Sequence, residues 1–158
     1  MTRFADLLLT LSRGGVNFIL VGGVAAAAHG SARATQDVDV VYSRDAANLQ
    51  RLVTALEPVH PYLRGAPPGL PFRWDERTIQ AGLNFTLVTD LGWIDLLGEI
   101  TGGGGYENLA PHAIRVDVFG VQCLVLDLET LIRTKRAAGR PKDYEALAEL
   151  EILRARQN

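Results

Sequence analysis

Asp37-Val38-Asp39 carries the most chemistry of any stretch in this sequence. The run Asp37-Val38-Asp39-Val40-Val41 alternates with the period of a strand, so both carboxylates project from one face while Val38 and Val40 point into a core. Two like charges side by side repel, and their ionised forms call for a compensating cation. A hard divalent ion such as Mg²⁺ is the ordinary solution for carboxylate oxygens. The plainer alternative is a solvated acidic face. A third acid, Asp95, lies inside the apolar run Trp93-Ile94-Asp95-Leu96-Leu97, where an unpaired buried carboxylate costs on the order of several kcal/mol. It needs a partner. That partner is an arginine or a backbone cap, or else Asp95 stands beside Asp37 and Asp39 on a neighbouring strand and completes a three-carboxylate metal site.

Upstream of the acids, Val16 to Val21 is a short β-branched and aromatic run that ends at Gly22-Gly23, and four alanines, the best helix former, follow at Ala25 to Ala28. Strand, glycine turn and helix in that order let backbone amides approach a phosphate at a helix N-terminus, although Gly-Gly is also ordinary turn chemistry. Residues 24–36 are enough for the helix to end and the chain to return as an adjacent strand, which brings the turn and the two acids to one end of a sheet. Arg33 and Thr35 precede that strand, placed to orient the acids or phosphates. The stretch Arg133 to Lys142 holds five cations in ten residues. A basic helix end favoured by its dipole accounts for Arg136. Lys135 instead shares the stripe of Leu128, Leu131 and Ile132, so its stem runs along the sheet and its ammonium emerges near the acids. Asp143, in the first turn of the last helix, reads as a structural ion pair with Lys135 or Arg140, and His29 reads as a helix-end histidine rather than a ligand.

These residues need a scaffold. Phe4, Leu7, Leu8 and Leu11 form a helical stripe that stops at Gly14-Gly15, and a second helix runs from about Ala46 to Leu56. From Pro58 to Arg77, five prolines with Gly65 and Gly69 exclude a long helix or a central strand and leave a long loop, read as a lid. Its Arg64, Phe72, Arg73, Trp74 and Arg77 suit a nucleobase or an RNA strand, or else its aromatics anchor it to the core. Asn84 to Val88 and Trp93 to Leu97 form a hairpin about Asp90-Leu91-Gly92, and a second spans Ile114 to Leu126 about Gly120. The run Gly102 to Gly105 matches no phosphate loop and reads as a flexible connector. Two helices close the chain, one ended by Gly139 and the other opened by Pro141. The order αβαβαββ(β)βαα is that of an α/β (α+β) domain with a mixed β-sheet and flanking helices.

Composition bounds the possibilities. A length of 158 residues suits a single domain, 1–158, with the C-terminal helices 127–156 packed on it and a lid at 58–77. The chain is 47% hydrophobic and 22% charged, inside the globular range. Sixteen Lys+Arg against eighteen Asp+Glu gives a net charge of −2, so no global positive field holds nucleic acid or an anionic membrane. One cysteine, Cys123, makes no internal disulfide and no cysteine-based zinc site, and fits the cytoplasm. Neither a leader nor a membrane span is expected.

Gly22-Gly23, thirteen residues, Asp37-Val38-Asp39-Val40 and a later Asp95 together resemble the signature of the polymerase-beta-like nucleotidyltransferase superfamily. More narrowly, Gly30-Ser31-x-Arg33-x-Thr35-x-Asp37-x-Asp39 and Leu131-Ile132-x-x-Lys135-x-x-x-Gly139-Arg140-x-Lys142-Asp143 are similar to small bacterial nucleotidyltransferases related to the toxin component of AbiE-type toxin and antitoxin systems. The resemblance spans about Val16 to Leu150. It implies the polymerase-beta-like fold and Mg²⁺ (or Mn²⁺) held by Asp37, Asp39 and Asp95. It places Gly22 and Gly23 beside the nucleotide phosphates and Lys135 on the triphosphate, with Arg33, Thr35, Arg140 and Lys142 completing the phosphate-binding set. The wider superfamily often has serine at the second glycine, and Gly23 has no hydroxyl to offer a phosphate.

The activity so implied is transfer of a nucleoside monophosphate from an NTP such as ATP to a hydroxyl acceptor, with release of pyrophosphate. The acceptor is RNA such as a tRNA, a protein side chain or a small molecule, and a toxin role implies a cognate antitoxin protein. The rival readings are a catalytically idle binding or antitoxin module, against which three intact acids argue, and a metal-dependent phosphohydrolase, for which a histidine cluster is missing.

Overall fold

The structure, a computed structural model, describes residues 1–157. α1 (Phe4–Arg13) buries Leu7, Leu8 and Leu11, the stripe set out by the sequence. β1 (Phe18–Val21) is buried along its length, and α2 (Gly22–Ala28) starts with no loop between. β2 (Asp37–Tyr42) keeps Asp37 and Asp39 half-buried and Val38 and Val40 buried, the alternation its sequence requires. α3 (Ala46–Leu56) is capped by Asp45, whose side chain accepts from the Asn48 N–H at 2.8 Å.

The segment 58–77 is more ordered than its prolines suggest. A 3₁₀ turn at Glu57–Val59 leads to β3 (Tyr62–Leu63), a two-residue edge strand flanked by Pro61. α4 (Glu76–Ala81) begins within the segment, because Asp75 caps it by accepting from the Thr78 N–H at 2.8 Å. Between them the Trp74 indole donates to Val53 O at 3.0 Å, and Tyr62 and Phe72 meet edge to face at 6.0 Å between centroids. Both aromatics of the segment that the sequence offered to a nucleobase are used to hold it down.

β4 (Asn84–Thr89) and β5 (Gly92–Leu97) form the first hairpin. β6 (Glu99–Ile100) and β7 (Gly104–Gly105) make a small separate ribbon, followed by α5 (Tyr106–Leu109). The glycine run is therefore not a loose connector. A Cβ at Gly102 would stand 2.5 Å from Ala137 Cβ, and one at Gly103 would stand 3.0 Å from Thr134 Cγ2, so the glycines let the ribbon press against the helix that carries those residues. β8 (Ala113–Val118) and β9 (Val121–Leu126) form the second hairpin. α6 (Leu128–Ala138) ends at Gly139, whose φ is 63°, and α7 (Pro141–Gln157) follows.

The main sheet has seven strands in the order β3-β4-β5-β2-β1-β9-β8. The β2/β5 and β1/β9 pairs are parallel and the others antiparallel. This is the mixed sheet with flanking helices expected from the sequence. Among the described residues, no helix is long and apolar enough to cross a membrane.

Candidate active site

Strand register brings the three acids together. β2 and β5 pair in parallel with Asp39 opposite Asp95 and Asp37 opposite Trp93, so all three carboxylates rise from one face of two adjacent central strands. Ligand oxygens of Asp37, Asp39 and Asp95 lie within 4.8 Å of one another. Val21 stands opposite Asp39 on the other side, so the turn at Gly22 begins beside the acids. Gly22 takes φ 67°, and a Cβ there would run into the Asp39 carboxylate. A Cβ at Gly23 would meet Thr35 Oγ1 at 2.7 Å. The glycine pair is thus what allows the helix start, the acid and Thr35 to share one corner. Thr35 Oγ1 donates to Asp37 O at 3.2 Å and lies 3.4 Å from Asp37 Oδ1, which orients that acid.

Electrostatics mark the centre as short of positive charge. Burial first, then the charges of Asp37 and Asp95, push the Asp39 carboxyl up to about 8. Burial also raises Asp95, against the lowering pull of Arg64. Asp39 Oδ1 is buried with no hydrogen-bond partner. Three hard oxygen donors, one of them an orphaned buried atom, suit a hard divalent cation, so the residues fit such an ion.

A cleft of about 570 Å³ opens over Asp37, Asp39, Gly22 and Gly23, and Arg33, Thr35, Lys135, Arg140 and Lys142 also line it. The structure therefore gathers every phosphate-binding candidate named from the sequence into one cavity. Lys135 is mostly buried and desolvation lowers its pKa, while Asp143, 3.9 Å from its Nζ, opposes that shift. Asp143 is only 2% exposed and also receives Arg140 Nε at 2.8 Å, so the ion pair expected with one of the two cations is made with both. Arg33 reaches toward Glu145 at 3.6 Å on the rim. His29 caps α2 and bonds Leu126 O at 2.8 Å, and it is not part of the acid cluster. Cys123 is buried and its thiol is pushed up to about 11, so it is no nucleophile.

Sequence reasoning missed one member of the site. Arg64 was grouped with the loop cations, yet its Nη2 lies 2.9 Å from Asp95 Oδ1 and its Nη1 3.7 Å from Asp37 Oδ2. Both readings of Asp95, an arginine partner and a place in the triad, hold at once. No periodicity signals Arg64, because the strand that delivers it is two residues long.

Fold and triad together define a nucleotidyltransferase-fold protein with an acidic centre suited to a divalent metal. No protein-family model and no curated protein sequence matches the chain. Among solved structures it is similar to the lincosamide antibiotic adenylyltransferase LnuA, lincomycin-bound, with a TM-score of 0.61 and 15% identity over 96% of each chain. It is also similar to the Thermotoga maritima protein TM1012, a nucleotidyltransferase by assignment, with a TM-score of 0.57 and 16% identity over 94% of each chain. A third is ANT(2")-Ia in complex with adenylyl-2"-tobramycin, with a TM-score of 0.56 and 14% identity over 96% of this chain and 92% of that one.

Proposed function

We propose that this protein transfers a nucleoside monophosphate from an NTP to a hydroxyl of a small molecule, releasing pyrophosphate. The observation that carries the reading is the triad itself, three carboxylates on one sheet face, two of which line a cleft shared with Lys135, Arg140 and the glycine turn. Asp37, Asp39 and Asp95 would hold Mg²⁺ or Mn²⁺. Bound there, a divalent ion neutralises phosphate charge and lowers the pKa of an acceptor hydroxyl. Lys135 and the backbone amides at Gly22 and Gly23 then take the charge that grows on the leaving pyrophosphate, with Arg140, Lys142 and Arg33 on the outer phosphates. Asp143 holds Lys135 and Arg140 in place. Asp95 would serve the acceptor, as ligand or as the base that takes the hydroxyl proton. The chain does little covalent chemistry; it aligns an in-line displacement at the α-phosphorus.

The cleft also argues for the acceptor. Because β2 and β5 run parallel, residues 31–35 before β2 and residues 97–101 after β5 lie at opposite ends of the acid face. The first end holds Arg33, 3.6 Å from Glu145 of α7. The second includes Asn84, Leu97, Glu99, Ile100 and Thr101, among which Glu99 is the one charged residue. A neutral or cationic hydroxyl compound suits that end better than a polyanion. Two of the structural neighbours, the lincosamide adenylyltransferase and ANT(2")-Ia, are described with small-molecule acceptors. The resemblance to AbiE-type components favours RNA and a cognate antitoxin instead, and the exposed Arg73 and Arg77 are the feature that supports this second reading.

Incubation with each α-labelled NTP, Mg²⁺, cellular RNA, protein and a panel of small hydroxyl compounds separates the two. Label is expected in the small-molecule fraction, with little dependence on salt. Label in RNA that declines steeply with salt would establish the second reading. Nucleotide binding without any transfer would establish the idle module.

A further inference from the structure

The sheet register lays one row across the acid face. The Arg64 N–H donates to Thr86 O at 3.0 Å, Thr86 stands opposite Asp95, Asp95 opposite Asp39, and Asp39 opposite Val21. From that position the Arg64 side chain extends past Thr86 to Asp95 and fixes its guanidinium there. Nη2 bonds Asp95 Oδ1 and Leu87 O, each at 2.9 Å, and the Trp93 ring centroid lies 4.6 Å from Cζ. The side chain is 19% exposed. Asp39, at the other side of the row, keeps its buried and unpartnered Oδ1. Among the described residues, Arg64 is the one cation in direct contact with the triad.

The geometry points to Arg64 as an internal counter-ion that divides the triad: it neutralises Asp95 and shares Asp37, so the nucleotide-free protein takes one divalent cation through Asp39 and Asp37, and a second only in competition with the guanidinium. This rests on the reading of the triad as a divalent-cation site. A guanidinium donates and never accepts, so each carboxylate lone pair it holds is withheld from a metal, and its charge repels an incoming dication. Its planar fork, pinned by a carbonyl and stacked on an indole, is costly to move. Because Arg64 directly follows β3, the same contact ties the start of the 64–75 segment to the acids, which gives that segment a part in the site through charge rather than through its aromatics.

Mn²⁺ binding to the nucleotide-free full chain, read from the electron paramagnetic resonance signal of free Mn²⁺, tests this. The parent is expected to bind one ion. Arg64→Gln, neutral but still able to donate to Leu87 O, should bind Mn²⁺ at least about tenfold more tightly or take up a second ion, whereas Arg64→Lys should stay within about threefold of the parent. Metal-free thermal melts establish that both variants are folded. Should Arg64→Gln fail to fold, the stoichiometry of the parent decides, with one ion upholding the assignment and two overturning it. Unchanged or weaker binding in folded Arg64→Gln overturns the counter-ion role while leaving the triad intact as a metal site. A parent indistinguishable from Asp39→Asn overturns the metal site itself, and the counter-ion with it.

Discussion

Asp39 and Asp143 both lie close to Lys135, and burial pushes the carboxyl of each upward, yet they end in opposite states. At Asp143 the side-chain and backbone hydrogen bonds of Arg140, with the charges of Arg140 and Lys135, outweigh burial and hold the group below the usual carboxylate range. At Asp39 the neighbours are Asp37 and Asp95, which add to burial, and Lys135 offsets only part of the sum. What differs is the company each acid keeps. The satisfied acid belongs to the framework, and the unsatisfied one marks where a ligand's charge is wanted, since a fold tolerates such strain at a site that function uses.

The largest effect follows from removing the unsatisfied acid. Asp39→Asn should abolish Mg²⁺ or Mn²⁺ binding by calorimetric titration and lower transfer by at least about a hundredfold. In metal-free buffer above about pH 8, where Asp39 is ionised, the same variant should melt higher than the parent, because repulsion within the triad falls; about 1 kcal/mol corresponds to roughly 2–4 °C for a chain of this size. An unchanged or lower melting temperature would show that the triad is not strained.

Much of this was legible in the residues. Alternation at Asp37 to Val41 set the shared face, and the glycine pair and the 24–36 interval set the adjacency of β1 and β2, because local periodicity and chain reach decide both. The stripe of α6 put Lys135 on the acid side for the same reason. What stayed hidden depends on contacts distant in sequence. Arg64 reaches Asp95 across 31 positions, through a strand too short to show a pattern. The α4 cap was obscured by the prolines before it, and the glycine run looked like a connector because close packing against α6 leaves no trace in a run of glycines.

Lys135 lies between the two regions and should give the next largest effect. Lys135→Met keeps the apolar stem but removes the charge, so NTP binding should weaken by about 1.5–3 kcal/mol, the range for a charge-assisted hydrogen bond. Mn²⁺ binding without nucleotide should persist, since Asp37, Asp39 and Asp95 are untouched. Fluorescence titration with each NTP measures the first and calorimetry the second. Nucleotide affinity equal to the parent's would assign Lys135 to the framework alongside Asp143.

The smallest effect is expected on the satisfied side, where it appears as stability rather than chemistry. Asp143→Asn leaves Arg140 and Lys135 without their counter-charge and should cost about 1–3 kcal/mol of unfolding free energy at neutral pH. The pH dependence has a definite sign. The folded pKa of Asp143 lies below its ordinary value of 3.8, so the folded state binds that proton less readily than the unfolded chain does. Its contribution is fully present above that ordinary value and fades as pH falls through the folded pKa. Parent and Asp143→Asn should therefore differ at pH 7 and converge in acid below about pH 4, as followed by urea unfolding at a series of pH values. Because Lys135 and Arg140 remain in the chain but lose their anchor, NTP affinity should drop only several-fold, less than in Lys135→Met. A gap between parent and variant that stays constant down to pH 2 would mean that Asp143 contributes through packing alone. The contrast with Asp39 would then reflect burial rather than the partners each acid has been given.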